Sequence, residues 1–230
     1  MSLLLFRNAA VLDPAAGELR PGCDVLLDGE RIAEVSERPI ASSAAERIEL
    51  RGATLMPGLI DAHVHAVITS MDLAAMERKP VTLVAHEARR VLEGMLQRGF
   101  TTVRDAGGAD WGLAQAVESG LVAGPRIFFS GRVLSQTGGH GDFRPRHEPA
   151  LLCACQVHSS YFSHVADGVD AVRKAAREEL RRGAHQVKIM ASGGVASPTD
   201  PIWNLQYSAE EMAAIVEEAR GWRTYAMAHA

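Results

Sequence analysis

Apolar residues in the first 56 positions come in short runs separated by turn residues. Leu3-Leu4-Leu5-Phe6 and Ala9-Ala10-Val11-Leu12 are parted by Arg7-Asn8, and Asp13-Pro14 and Arg20-Pro21-Gly22 read as turns. Asp24 to Leu27 and Ile32 to Val35 flank Asp28-Gly29, which predicts a hairpin. Arg47 to Leu50 predicts one more strand. Residues 1–56 are therefore expected to form a small β domain.

From residue 57 the rhythm changes. Apolar runs at Leu59–His65, Thr101–Asp105, Arg126–Ser130, Gln186–Met190 and Arg223–His229 alternate with helical patterns at Val81–Arg98, Leu113–Glu118, Gly168–Arg182 and Ala209–Arg220. That alternation predicts a parallel α/β domain over residues 57–230. Val169, Val172, Ala176 and Leu180 fall on one helical face, and Met212, Ile215, Val216 and Ala219 fall on another. Ser208-Ala209-Glu210-Glu211 has the form of a capping box, and Gly99, Gly120 and Gly183 stand where helices end.

Chemistry concentrates at the ends of these strands. In Met56-Pro57-Gly58-Leu59-Ile60-Asp61-Ala62-His63-Val64-His65, side chains two apart along a strand point the same way, so His63 and His65 project together. Two neutral imidazoles make half of a metal site, and two ligands alone hold an ion weakly. Asp61 shares their facing, and Asp105 closes the second strand; either could support a ligand or serve as a turn or cap residue. Lys188 stands between apolar neighbours in a buried-looking strand, where a lysine either reaches solvent at the strand end or is used. His229 ends the fifth strand candidate. Ser135-Gln136-Thr137-Gly138-Gly139-His140-Gly141-Asp142 is a glycine-rich loop after the third. His147, Cys153, Cys155 and His158 fit no standard zinc spacing and read as incidental loop residues.

Bulk properties narrow the class. The net charge of −4 gives no basic footprint for nucleic acid, and no apolar run approaches the roughly 18 residues of a membrane span. The start lacks a basic region and a cleavage site, so no signal peptide is read. Three cysteines argue against a disulfide framework, and a cytoplasmic setting is expected.

The words Pro-Gly-Leu-Ile-Asp-x-His-x-His resemble the first-strand signature of the amidohydrolase superfamily, metal-dependent hydrolases built on a (β/α)8 barrel. Gly-Gly-His-Gly-Asp, with Ala191 to Pro198 after Lys188, resembles a subgroup containing imidazolonepropionase-related proteins and Xaa-Pro or Xaa-Arg dipeptidases. The resemblance implies two divalent ions, zinc being expected. His63 and His65 would hold one, His229 would contribute to the second, and Lys188 would bridge them as a carbamate formed with carbon dioxide. It places His140 over the substrate, a dipeptide or N-acyl amino acid. It makes residues 1–56 one part of a β-sandwich completed by later strands. Alternatives are a cyclic-amide hydrolase of the imidazolonepropionase type, a Schiff-base enzyme using Lys188 without metal, and a non-catalytic fragment needing a partner chain.

Five strand candidates fall short of eight, and such barrels typically use about 250 residues. The family's histidine after strand six and aspartate after strand eight have no counterpart here, so the fold expected is an incomplete barrel. Strands one and five would expose unpaired edges. The isolated 230-residue chain is accordingly expected to self-associate and to have negligible amidase activity. A monodisperse monomer in sedimentation that turns over a dipeptide with zinc would contradict that expectation.

Overall fold

A computed structural model describes residues 3–144, 160–195 and 200–230. His147, Cys153, Cys155 and His158 lie outside the described residues. The chain divides into two units, Met1–Gly58 and Leu59–Ala230. Among the described residues, no helix is long and apolar enough to cross a membrane.

The first unit is a single sheet of β1 (Leu3–Asp13), β2 (Glu18–Asp28), β3 (Arg31–Ser36), β4 (Glu46–Glu49) and β5 (Thr54–Leu55). The order is β3-β2-β1-β4, and β5 also pairs with β1. The β1–β2 and β2–β3 ladders are antiparallel, whereas β4 and β5 run parallel to β1. Two sequence expectations change here. Arg7-Asn8 does not separate two strands; β1 runs through it with a register shift, and Asn8 takes φ 54°. Asparagine tolerates this left-handed geometry better than most residues. Arg20-Pro21-Gly22 is not a turn but part of β2. A second register shift lies between the pairs Ala9↔Cys23 and Val11↔Arg20, leaving Pro21 and Gly22 at the irregularity. There the missing proline N–H breaks no regular ladder bond, and Gly22 supplies φ 71°. The sheet forms one layer, and no second layer of a sandwich occurs in this unit among its described residues. Ile32, Val35 and Ile48 remain exposed on it.

Asp24 staples this sheet. Its carboxylate accepts the Asn8 N–H at 3.1 Å and the Ile40 N–H at 3.0 Å and lies 3.5 Å from Arg7. Burial alone would raise this carboxyl; the N–H groups of Ile40 and Asn8 and the Arg7 guanidinium outweigh it and hold it below its ordinary value.

The second unit contains β6 (Leu59–Val64), α1 (Leu73–Glu77), α2 (Val81–Gln97), β7 (Phe100–Asp105), α3 (Trp111–Glu118), β8 (Arg126–Phe129), β9 (Val133–Ser135), β10 (Ser163–Val165), α4 (Val169–Arg181), β11 (Val187–Met190), α5 (Ala209–Gly221) and β12 (Ala226–His229). Every ladder is parallel. Within each sheet the strand carboxyl ends therefore face one way, the edge where α/β sheets build their sites. The helices form for local reasons. Asp110 caps α3 by accepting the Leu113 N–H, which starts that helix two residues earlier than the periodicity alone suggests. Ser208 and Glu211 form the reciprocal capping box of α5. Val172, Ala176 and Leu180 of α4 pack with Ile215 and Ala219 of α5 over Leu134, Val187 and Ile189. Val169, expected on that buried face, stays partly exposed at the first turn. Full burial of Leu134, Leu180 and Ile215 contributes about 1.5–3 kcal/mol each.

The strands form two sheets, β6-β7-β8 and β10-β9-β11-β12, rather than one ladder. After β8 the chain kinks at Gly131, with φ 72°, and the new strand β9 passes to the second sheet. Buried Glu179 of α4 holds the kink, accepting from the Arg132 backbone at 3.1 Å and its Nε at 2.8 Å. Across the junction the His185 N–H donates to Phe129 O at 2.8 Å. The buried Gln186 amide donates to Asp105 O at 3.1 Å and Phe128 O at 3.3 Å.

Asp24→Ala is expected to destabilise the first unit by on the order of 1–2 kcal/mol at pH 7 through the orphaned N–H groups. Because folding lowers the Asp24 pKa, its ionised contribution is present above the unfolded value of about 3.9. That contribution is lost as pH falls through the folded value. Urea denaturation of the two proteins should therefore converge at acid pH; an equal gap at pH 7 and pH 2 would contradict the assignment.

Candidate functional site

β6, β11 and β12 bring His63, His65, Lys188 and His229 to one region, with His65 just past the end of β6, Lys188 second in β11 and His229 last in β12. The β11–β12 register pairs Lys188 with Met227 and Met190 with His229, so Lys188 and His229 share a sheet face. The His63 and His65 rings lie edge to face, 5.4 Å between centroids. Each of the three histidines feels the charge of Lys188.

His65 is held most firmly. Its Nδ1 lies 3.1 Å from Gly107 O. A carbonyl only accepts, so Nδ1 carries the proton and Nε2 keeps its lone pair. The ring also packs on Phe162. Burial pushes His65 down to about 4, opposed by the Gly107 bond and assisted by the charges of His63 and Lys188. Burial lowers His63 as well, with Lys188 and Arg104 adding to it. Imidazoles kept neutral in this way are ready to donate lone pairs to an ion.

Gly107 is itself fixed from below. Asp105 is fully buried, and its two oxygens accept the N–H groups of Ala66 at 2.7 Å, Gly107 at 2.9 Å and Ala109 at 3.2 Å. Burial pushes Asp105 up to about 7 against the pull of these three donors. Space is equally tight: a side chain at Gly107 would overlap Val133, and one at Gly108 would overlap Val67. Asp61 also serves the backbone, accepting the His63 N–H at 3.1 Å beside an irregularity in the β6–β7 register. Among the described residues, neither carboxylate is bonded to an imidazole.

Lys188 is 1% exposed, and its Nζ has no hydrogen-bond partner among the described residues. Burial lowers its pKa to about 8, with the Arg104 charge assisting. Arg104 donates to Ala62 O at 2.8 Å and to the Tyr225 hydroxyl at 3.1 Å. It is a site neighbour that the sequence reading passed over, although an arginine inside a strand candidate carries the same signal as Lys188. Burial lowers His229, followed by the effects of His140 and Lys188.

His140 is buried and stacked on His229, with centroids 4.4 Å apart and 17° between planes. The two rings border a pocket of about 450 Å³ whose other walls include Gly193, Gly194, Val195 and Ile202. A larger cavity of about 1170 Å³ lies elsewhere, among residues such as Lys79, His86, Trp111 and Glu179; it includes none of His63, His65, Lys188 and His229. Among the described residues, no three His, Cys, Asp or Glu side chains cluster closely enough to hold an ion. Three neutralised imidazoles around one unpartnered buried amine nevertheless fit a metal set in which lysine, once carboxylated, supplies the anionic oxygens.

The amidohydrolase family model matches residues 54–230, and the chain belongs to that family. Ochratoxinase of Aspergillus niger is 35% identical over 235 residues, covering 96% of this chain and 49% of that protein. A prolidase crystallised with N-methylphosphonate-L-proline is 53% identical with a TM-score of 0.94, over 100% of this chain and 56% of that one. A Xaa-Pro dipeptidase with bound methionine is 29% identical, with a TM-score of 0.81, over 100% of this chain and 57% of that one. The chain thus spans about half the length of the relatives it matches.

Asp105→Ala would orphan three N–H donors and release the segment that orients His65. A stability loss of more than about 3 kcal/mol is expected in chemical denaturation. A loss below about 1 kcal/mol would show that the segment holds without its carboxylate.

Proposed function

We propose that this chain supplies the amino-terminal half of a binuclear, zinc-dependent amidase acting on dipeptides or N-acyl amino acids. The two parallel sheets of Leu59–Ala230 are then successive arcs of one (β/α)8 barrel, with the first unit as part of a β-sandwich. The observation that carries the reading is the buried amine of Lys188, unpartnered among the described residues and surrounded by neutral His63, His65 and His229.

His63 and His65 would hold one ion, His229 would contribute to the second, and Lys188 would bridge them as its carbamate. Bound there, the ions would polarise the amide carbonyl and lower the pKa of a water molecule. The chain's own residues do the arranging. Gly107 O keeps the His65 proton on Nδ1, leaving Nε2 to bind. The lowered pKa of Lys188 raises the fraction of neutral amine, the form that reacts with carbon dioxide. His140 borders the pocket from which substrate would approach. The likeness to a prolidase bound to a proline derivative favours dipeptides with a carboxyl-terminal proline among the candidates. The remaining donors and the proton shuttle lie outside this chain in the reading.

The test uses the full-length protein. After dialysis against zinc, the wild type should retain metal, and His63→Ala with His65→Ala should lose more affinity than the roughly 10–100-fold typical of outer-shell changes. Lys188→Ala should lose metal and regain it when a short-chain carboxylic acid is added. Turnover is followed on Xaa-Pro dipeptides and N-acyl amino acids. Metal content in Lys188→Ala equal to the wild type without added acid would overturn the carbamate assignment, and no hydrolysis of either class would overturn the substrate assignment.

A further inference from the structure

His140 is gripped by residues that the metal set does not use. The loop after β9 is tied to the stretch 200–207 by three contacts. Gln136 Oε1 accepts the Tyr207 N–H at 2.6 Å, Gln206 Oε1 accepts the His140 N–H at 2.9 Å, and His140 Nδ1 stands 3.3 Å from Asp200 Oδ2. The Gln206 Nε2 donates to that same Asp200 oxygen at 2.9 Å. Asp200 and Gln206 are both buried. Among the described residues, Asp200 Oδ1 has no partner, and the His140 Nδ1 contact is close without being aligned as a hydrogen bond. Such contacts in ligand-free sites often tighten when substrate binds.

The surroundings leave the ring little freedom. One contact is the near-parallel ring of His229, and a side chain at Gly194 would overlap the His140 ring. Tyr207 adopts φ 60°, a strained value for an aromatic residue, while its N–H stays bonded to Gln136. A strained residue follows directly after the glutamine that clamps both Asp200 and the His140 backbone.

We propose that Asp200, anchored by Gln206, is a positioning residue that holds the His140 proton on Nδ1 and so offers Nε2 to the substrate. The pocket beside the ring, walled by Val195 and Ile202, would receive the apolar part of the same substrate residue. The proposal rests on the amide-hydrolase reading of this site, but its first test does not require turnover.

In full-length protein labelled with 15N-histidine, long-range nitrogen–proton spectra should show His140 as the Nδ1–H tautomer. Asp200→Ala removes the oxygen that Gln206 Nε2 and His140 Nδ1 share, so the ring should lose its fixed tautomer and the Nε2–H form should appear. Asp200→Asn, whose amide oxygen can take that same place, should keep the Nδ1–H form. Matching thermal midpoints confirm that both variants are folded. On a substrate that is turned over, Asp200→Ala should raise KM about tenfold with little change in kcat, the loss of one oriented contact. Combined with His140→Ala it should add nothing further. An unchanged tautomer in Asp200→Ala, or additive effects with His140→Ala, would overturn the positioning role. Absence of hydrolysis in the wild type would overturn the functional reading, while the spectra still decide the tautomer.

Discussion

Lys188 places a primary amine inside a sheet where no described acceptor meets it. Withdrawing an ammonium from water without a partner costs several kcal/mol, so the neutral form gains ground and the pKa falls to about 8. Everything around it pushes in the same direction. Arg104 brings another cation, and the three histidines, themselves lowered by burial, offer no negative charge. A site assembled in this way calls for an anion, and in the proposed function the lysine itself becomes one.

What keeps this arrangement in place is mostly backbone. Asp105 gathers three N–H groups and thereby sets the carbonyl that sets the His65 proton. Gln186 and Glu179 do comparable work where the two sheets meet, one satisfying carbonyls of β7 and β8, the other gripping the kink before β9. Polar residues buried in this way act as stitching between segments that hydrophobic packing alone would leave free to slide.

Five strands of the second unit and four of its helices were legible because their apolar residues repeat with a period of two or 3.6. The short strands β9 and β10 were not, since three residues carry no period. Pro21-Gly22 read as a turn because the irregularity that accommodates it depends on the partner strand. In the site, His63 and His65 were visible from their spacing and Lys188 from its apolar flanks. Asp200 and Gln206 gave no local signal. They matter through His140, about sixty residues away in sequence, and only the tertiary fold reveals that contact.

The pocket beside His140 has two kinds of wall. On one side, Gly194 lies so close to the histidine ring that any larger residue would displace it. On the other, Val195 is 93% exposed and Ile202 59% exposed. Replacements at the outer positions disturb little packing, whereas replacements at the inner one disturb the ring itself. Variation can accordingly accumulate along the rim while the floor stays constant. A lineage with this geometry could change the molecules it accepts by small steps at its edge, without reopening the question of how its core folds.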